Sequence, residues 1–333
     1  MKVNIFTEAE LAKIKTTGIV TSYRSLKEGL EKNGVEVSIN KKSGYDILHV
    51  HSFGPLSMLK AMREKKPVVM TTHTVPDEIS LLYRGGKYIQ NIFEKYLRSV
   101  YNQADVLISP SVFAKNRLKE SGVKTKIIVE SNGIKKEKYT RSNKKRKKFR
   151  EKYRIKEDET VIGCVGLPSK RKGLDVFKRV AEKHADKKFI WIGENIYNKF
   201  LKDYKYLKKI KENPPRNLIL TGFVDDIQAA YSAMDIFMLP TMIETEGLVV
   251  LEAISSDLPV ITSQVEGLNW IKEKKQCLKA STVEEYTEAI DEILENPSET
   301  KRMIDDSKKL LSQKDIEKVI PRIIDIYENL NAK

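Results

Sequence analysis

Cysteine is scarce in this chain of 333 residues: Cys164 and Cys277 lie far apart and without metal-ligand spacing. That excludes a disulfide framework and a zinc site, and it fits a reducing compartment. No uninterrupted apolar run approaches the roughly 18 residues of a membrane span. The opening Met1-Lys2-Val3-Asn4-Ile5-Phe6 reads as a short first strand, not a signal peptide. Among four histidines there is no His-x-x-x-His, and Asp-x-Asp and Gly-x-Gly-x-x-Gly are both missing, so neither a metal nor a dinucleotide is expected. Acid is the scarcer charge, with 46 Asp+Glu against 61 Lys+Arg and a formal net charge of +15.

Such an excess calls for a polyanionic partner or a solubility explanation. Arg141 to Lys156 holds ten basic residues and one acid, and residues 1–135 carry 22 Lys/Arg against 13 Asp/Glu. Nucleic acid, an anionic bilayer and a lysine-rich proteome are the candidate reasons. Only Phe149 and Tyr153 are interleaved with the basic run and no recognised binding motif accompanies it, so nucleic acid is not expected.

Short Val/Ile-rich runs alternate with helical patterns throughout. They are Val3 to Phe6, Ile47 to Val50, Val68 to Met70, Val106 to Ile108 and Ile127 to Val129, then Thr160 to Val165, Phe189 to Ile192, Leu218 to Leu220, Ile236 to Leu239 and Val260 to Ile261. This pattern predicts parallel sheets covered on both faces, an α/β architecture of two facing Rossmann-like, doubly wound domains. The expected division is residues 1–140 for a first domain and 141–314 for a second. An amphipathic helix over 315–333 is expected to cross back to the first. The basic segment Arg141 to Lys152 between the two sets reads as a solvated connection or an exposed helix. Ligands of such sheets bind at the carboxyl ends of the strands, which predicts an active site in a deep inter-domain cleft.

The run Leu239-Pro240-Thr241-Met242-Ile243-Glu244-Thr245-Glu246-Gly247-Leu248-Val249-Val250-Leu251-Glu252 places two carboxylates, Glu244 and Glu252, eight residues apart around a glycine. Glu244 is expected in a strand-to-helix loop and Glu252 about two turns into the helix. Gly247 lets a ligand approach the backbone, and free N–H groups at the helix start stabilise phosphate while carboxylates accept from sugar hydroxyls. Acidic residues are also common in first turns for the sake of the dipole. After the strand Thr160 to Val165, the turn Gly166-Leu167-Pro168-Ser169-Lys170-Arg171-Lys172-Gly173 brings three consecutive cations to a helix start, where they suit a diphosphate leaving group.

In the first half, His49, His51 and His73 stand at ends of adjacent strands. One of His49 and His51 fits a core position, while His73 is the functional candidate, able to bond a sugar or orient an acceptor hydroxyl. Thr16-Thr17-Gly18 follows the first strand as a turn that could close over phosphates or acceptor, and Phe223 offers a nucleobase wall or a core contact. Tyr88-Ile89, Ile92-Phe93, Tyr96-Leu97 and Val100-Tyr101 recur every four residues beside Arg84, Lys87, Lys95 and Arg98. The stripe suits either the core or the headgroup boundary of an anionic membrane.

Together these segments resemble retaining glycosyltransferases of family 4, with the GT-B architecture, over nearly the whole chain. The resemblance implies that Glu252 binds the nucleotide ribose and that Glu244 lies against the donor sugar, with amides near Glu246, Gly247 and Leu248 on sugar and phosphate. It also implies that Gly166, Lys172 and Gly173 form the diphosphate-binding turn, and that Ser131-Asn132-Gly133-Ile134 closes the first domain. Many members have arginine where Leu167 stands and glycine where Asp257 stands, and Arg171 can supply the missing charge. Both departures, with Phe189-Ile190-Trp191 and Glu-Thr-Glu-Gly, are similar to diacylglycerol glucosyltransferases. The implied reaction is metal-independent hexosyl transfer with retention from a nucleotide-sugar, UDP-linked, to a hydroxyl acceptor such as diacylglycerol or a soluble sugar or polysaccharide precursor. Catalysis falls to His73, Glu244 and Lys172, and donor binding to Gly18, Arg171, Lys172, Phe223, Glu244, Thr245, Glu246, Gly247, Leu248 and Glu252. The expected location is cytoplasmic, peripheral on the inner membrane face through the basic first domain. An epimerase or phosphorylase on the same architecture stays open, because fold does not fix reaction.

Overall fold

A computed structural model of the chain describes residues 1–14, 18–82, 85–193 and 202–332, the side chain of Lys87 excepted. The chain divides into two units, one of Met1–Ser80, Gly85–Lys135 and Gln313–Lys333, the other of Leu81–Arg84 and Lys136–Ser312.

The first unit runs β1 (Lys2–Phe6), α1 (Glu8–Leu11), α2 (Gly18–Lys32), β2 (Glu36–Ile39), β3 (Ile47–Val50), α3 (Pro55–Met62), β4 (Val68–Thr71), α4 (Asp77–Leu82), α5 (Gly86–Tyr101), β5 (Val106–Ser109), α6 (Val112–Glu120) and β6 (Lys126–Val129). Its strands pair in parallel in the order β2-β1-β3-β4-β5-β6, so the winding reverses between β1 and β3. β3, β4 and β5 are buried along their whole length, as apolar strands covered on both faces must be. Val20, Tyr23, Leu26 and Leu30 of α2 cover one face, and Leu97, Val100 and Tyr101 of α5 the other.

The second unit runs α7 (Asn143–Lys152), β7 (Val161–Val165), α8 (Leu174–Lys183), β8 (Lys188–Ile192), α9 (Tyr204–Glu212), β9 (Leu218–Gly222), α10 (Ile227–Ala233), β10 (Ile236–Leu239), α11 (Leu248–Ser255), β11 (Val260–Ser263), β12 (Leu278–Ala280), α12 (Val283–Glu295) and α13 (Pro297–Leu311). Its parallel order is β12-β11-β10-β7-β8-β9, which reverses between β7 and β10. The last helix, α14 (Ile316–Asn331), belongs to the first unit, where Ile316, Val319, Ile320, Ile323 and Tyr327 join the α2 core. Arg322 forks onto Glu130 at 2.5 and 2.8 Å.

The basic run is more than a solvated connection. α7 exposes Lys144, Lys147 and Lys148 but buries Phe149 and Arg150. Arg150 donates to the carbonyls of Ala233, Lys156, Glu157 and Glu159 and to Asp235, while Arg146 reaches the carbonyls of Ser232, Ala233 and Met234. The Ser232, Ala233 and Met234 carbonyls end α10, where intrahelical donors run out and positive charge is favourable, while those of Lys156, Glu157 and Glu159 lie in the turn before β7. The α5 stripe divides as well. Leu97, Val100 and Tyr101 are core, whereas Tyr88 and Ile92 are 88% and 69% exposed. Arg84 lies outside the described residues.

Candidate active site

In a doubly wound sheet, the loops that leave the two strands flanking the winding reversal diverge and open a crevice at the carboxyl edge. In the second unit those loops follow β7 and β10, and both sequence motifs fall on them. After β7 the chain turns sharply, pinned by Trp191 Nε1 donating to the Gly166 carbonyl at 2.9 Å. Ser169 Oγ accepts from Lys172 N at 3.2 Å, and Lys170 N donates to Asp203 at 2.9 Å. Gly173 then starts α8 with φ at 80°, and a Cβ there would stand 1.7 Å from the Pro240 carbonyl oxygen. Only glycine allows the cationic turn to lie so close to the end of β10.

Two bonds fix the loops together: Met242 N and Thr241 Oγ1 both donate to the Arg171 carbonyl, at 2.8 and 3.3 Å. In that frame Lys172 Nζ forms a largely buried ion pair with Glu244. The structure therefore brings together two residues that lie 72 positions apart in the sequence.

Gly247, at φ 75°, precedes α11, and its Cβ position is taken by Leu268 at 2.7 Å. The helix begins at Leu248, so Glu252 sits just over one turn in instead of the expected two; the left-handed Gly247 keeps Glu246 and Gly247 out of the helix. Thr245 and the buried Glu246 lead into this start, and Trp270 Nε1 donates to the Glu246 carbonyl at 2.8 Å. The first N–H groups of α11 lack intrahelical acceptors and carry the positive end of its dipole.

Glu252 is buried and accepts from Tyr139 Oη at 2.9 Å and Tyr231 Oη at 2.6 Å. Burial raises its pKa, and the two phenol donors oppose that shift. A carboxylate has about four acceptor directions, so two remain for further hydroxyl donors. Burial pushes the Cys164 thiol on β7 up, and the charges of Lys172 and Glu244 act on it in opposite senses.

A cavity of about 200 Å³ lies beside the carboxyl ends of β8 and β9, lined among others by Pro168, Trp191, Gly193, Thr221 and Gly222. Phe223, next in sequence, is 46% exposed and is not core.

In the first unit, His49 is a core residue: its Nδ1 meets Tyr327 Oη at 2.5 Å and its Nε2 meets Thr71 Oγ1 at 2.8 Å. His51, after β3, faces His73, after β4, with Nδ1 to Nε2 at 3.1 Å. Burial holds all three well below the usual histidine range, His49 at about 3 and His73 at about 4. His73 is thus neutral at pH 7 and suits hydrogen bonding better than proton abstraction. Gly18 opens α2 and is exposed, while Thr16 and Thr17 lie outside the described residues. Among the described residues no three His, Cys, Asp or Glu side chains gather as metal ligands.

Tyr139, Tyr231 and Asp203 were not foreseen in the sequence reading. Their partners are 113, 21 and 33 positions away, and no spacing rule spans such gaps.

Two family models match the chain: glycosyl transferases group 1 over residues 145–310 and glycosyltransferase family 4 over residues 38–138. The chain is 29% identical to the processive diacylglycerol alpha-glucosyltransferase of Acholeplasma laidlawii, covering 99% of this chain and 98% of that one. It is 26% identical to the alpha-galactosylglucosyldiacylglycerol synthase of Streptococcus pneumoniae, covering 100% and 90%. Among solved structures, Anabaena HepE in complex with UDP-glucose superimposes with a TM-score of 0.82 at 17% identity, covering 99% of this chain and 100% of that one. Two six-stranded parallel sheets, the two matched domains and relatives that run its full length establish that the chain belongs to the GT-B glycosyltransferases of family 4 and is a hexosyltransferase.

Proposed function

We propose that this enzyme moves a hexose from a UDP-linked donor to the hydroxyl of a diacylglycerol-type lipid, with retention of anomeric configuration. The observation that carries the reading is the buried Lys172–Glu244 pair at the winding reversal of the second sheet, beside the amide-rich start of α11. A donor diphosphate takes Lys172 as its counter-ion, with Arg171 adding charge and the amides of Glu246, Gly247 and Leu248 adding hydrogen bonds. Glu244, released from Lys172, accepts from hydroxyls of the sugar, and Thr245 flanks it. Glu252 uses its two remaining acceptor directions for the ribose diol, and the cavity by Gly222 and Phe223 takes the base. As the glycosidic bond breaks, charge grows on the diphosphate, and Lys172 and the α11 dipole stabilise it. The acceptor hydroxyl attacks the face the diphosphate leaves and passes its proton to a leaving-group oxygen. In the first unit, His73 orients a hydroxyl by hydrogen bonding, and Gly18 flanks a ligand phosphate or the acceptor. No metal enters this scheme.

The lipid acceptor is supported by the activities of the full-length relatives and by exposed apolar side chains on adjoining helices of the basic first unit. Leu56, Leu59 and Met62 of α3 accompany Tyr88, Ile89 and Ile92 of α5. Apolar side chains set among lysines suit the headgroup zone of an anionic bilayer, and the enzyme acts peripherally on the inner membrane face. Among the described residues no helix is long and apolar enough to cross a membrane. A donor-hydrolysis and transfer screen over UDP-, GDP- and ADP-sugars, with and without diacylglycerol vesicles, tests the reading. UDP-hexose turnover stimulated by the lipid is expected, and turnover that is indifferent to lipid but raised by a soluble sugar would overturn the acceptor assignment.

A further inference from the structure

The contact between His51 and His73 fixes a proton as well as a distance. His51 Nδ1 and His73 Nε2 lie 3.1 Å apart, within hydrogen-bond reach, so one of the two nitrogens carries the hydrogen. Both rings are neutral at pH 7, and a neutral imidazole has a single N–H, so the choice at this contact determines both tautomers. If His73 Nε2–H were the donor, His51 would have to carry its own hydrogen on Nε2. That atom is buried and has no hydrogen-bond partner among the described residues. A buried N–H without an acceptor is among the rarest features of folded proteins, and a bare lone pair is the milder defect. The reverse arrangement leaves only a lone pair at His51 Nε2.

We infer that His51 is a positioning residue whose Nδ1–H donates to His73 Nε2 and thereby confines the hydrogen of His73 to Nδ1. His73 then presents a donor from Nδ1, the tautomer a free imidazole disfavours in water, and recognises an oxygen acceptor such as a sugar or lipid oxygen. His49 takes no part in this relay, because Tyr327 and Thr71 engage both of its nitrogens. The role in transfer rests on the proposed assignment of His73 to the reactants; the tautomer itself does not.

Protein labelled with nitrogen-15 in its histidine rings, studied by long-range proton–nitrogen correlation at pH 7.5, reads the tautomers directly. Wild type is expected to show His73 protonated on Nδ1, and a His73 resonance pattern with Nε2 protonated would overturn the inference whatever the activity. His51→Asn places an amide donor near the lost Nδ1–H. It should keep the His73 pattern and turnover within about threefold, whereas His51→Phe should lose the pattern and about tenfold in kcat at little-changed donor KM. Equal loss in both variants would contradict donation from Nδ1. Normal turnover in His73→Ala, with the wild-type tautomer as expected, would overturn the catalytic reading of His73 and leave the tautomer standing.

Discussion

Lys172 and Glu244 hold each other in a site with little water, and that mutual dependence separates their structural from their catalytic contributions. Lys172→Met leaves a buried carboxylate without its partner, which costs about 3–5 kcal/mol, and adding Glu244→Gln should restore most of that stability. Turnover should fall about 10²–10³-fold in the single mutant and stay low in the double, since a lost transition-state cation is not replaced by a neutral amide. Thermal denaturation and steady-state kinetics on both proteins check this; recovery of turnover in the double mutant would remove Lys172 from the chemistry. The cation turn and the carboxylate pair were legible in the sequence, because each is a short local motif at a strand end. Tyr139 and Tyr231 on Glu252, and the Lys172–Glu244 contact, were not, since they join residues from different strand–helix units. The three histidines carry a residue-scale pH dependence. Their folded pKa values lie below the unfolded value near 6.5, so the unfolded chain binds more protons as pH falls and stability declines from about pH 6.5 toward the folded values, about 4 for His73 and about 3 for His49. Between pH 7.5 and 5 His49 and His73 should each remove about 2 kcal/mol of unfolding free energy, measured by urea titration. Replacing His49 by a nonionisable residue should flatten that slope, and an unchanged slope would place the acid sensitivity elsewhere.

Helix α7 shows how a composition-based reading fails at the level of an element. Ten basic residues over Arg141 to Lys156 look uniformly solvated, yet at helical spacing Arg146 and Arg150 point inward and bind the carbonyl end of α10. Arg150→Met removes the donors from several acceptors and one of the two close guanidinium partners of Asp235, so a loss of about 3–5 kcal/mol is expected, against less than about 0.5 kcal/mol for Lys147→Met on the exposed face. Equal, small effects in denaturant titrations would contradict this division of the helix. Continuous apolar runs marked ten strands, the edge strands β6 and β9 among them, but the opposite edge strands β2 and β12 escaped notice. Glu36-Val37-Ser38-Ile39 and Leu278-Lys279-Ala280 are short, and charged or polar residues interrupt them, as edge strands tend to be.

For the molecule as a whole, full-length relatedness and two matched domains fix the class of reaction, while the acceptor depends on what the basic first unit meets. Exposed Tyr88 and Ile92 should insert at a headgroup boundary, so a Tyr88→Ser/Ile92→Ser double variant should keep the melting temperature and lose sedimentation with anionic vesicles at low salt. Unchanged pelleting would assign binding to charge alone or to another face. The doubly wound architecture was readable because its strands are uninterrupted apolar runs, whereas the acceptor leaves no comparable local pattern. The most direct measurement is incubation of the enzyme with radiolabelled UDP-glucose and anionic vesicles that contain diacylglycerol, followed by organic extraction and proton NMR of the product. Label is expected in a glucosyl lipid with an α-anomeric linkage, reduced at least about a hundredfold in Lys172→Ala, on the order of a lost transition-state donor. A β-linked product, or label that stays wholly in the aqueous phase with an active donor, would contradict this expectation.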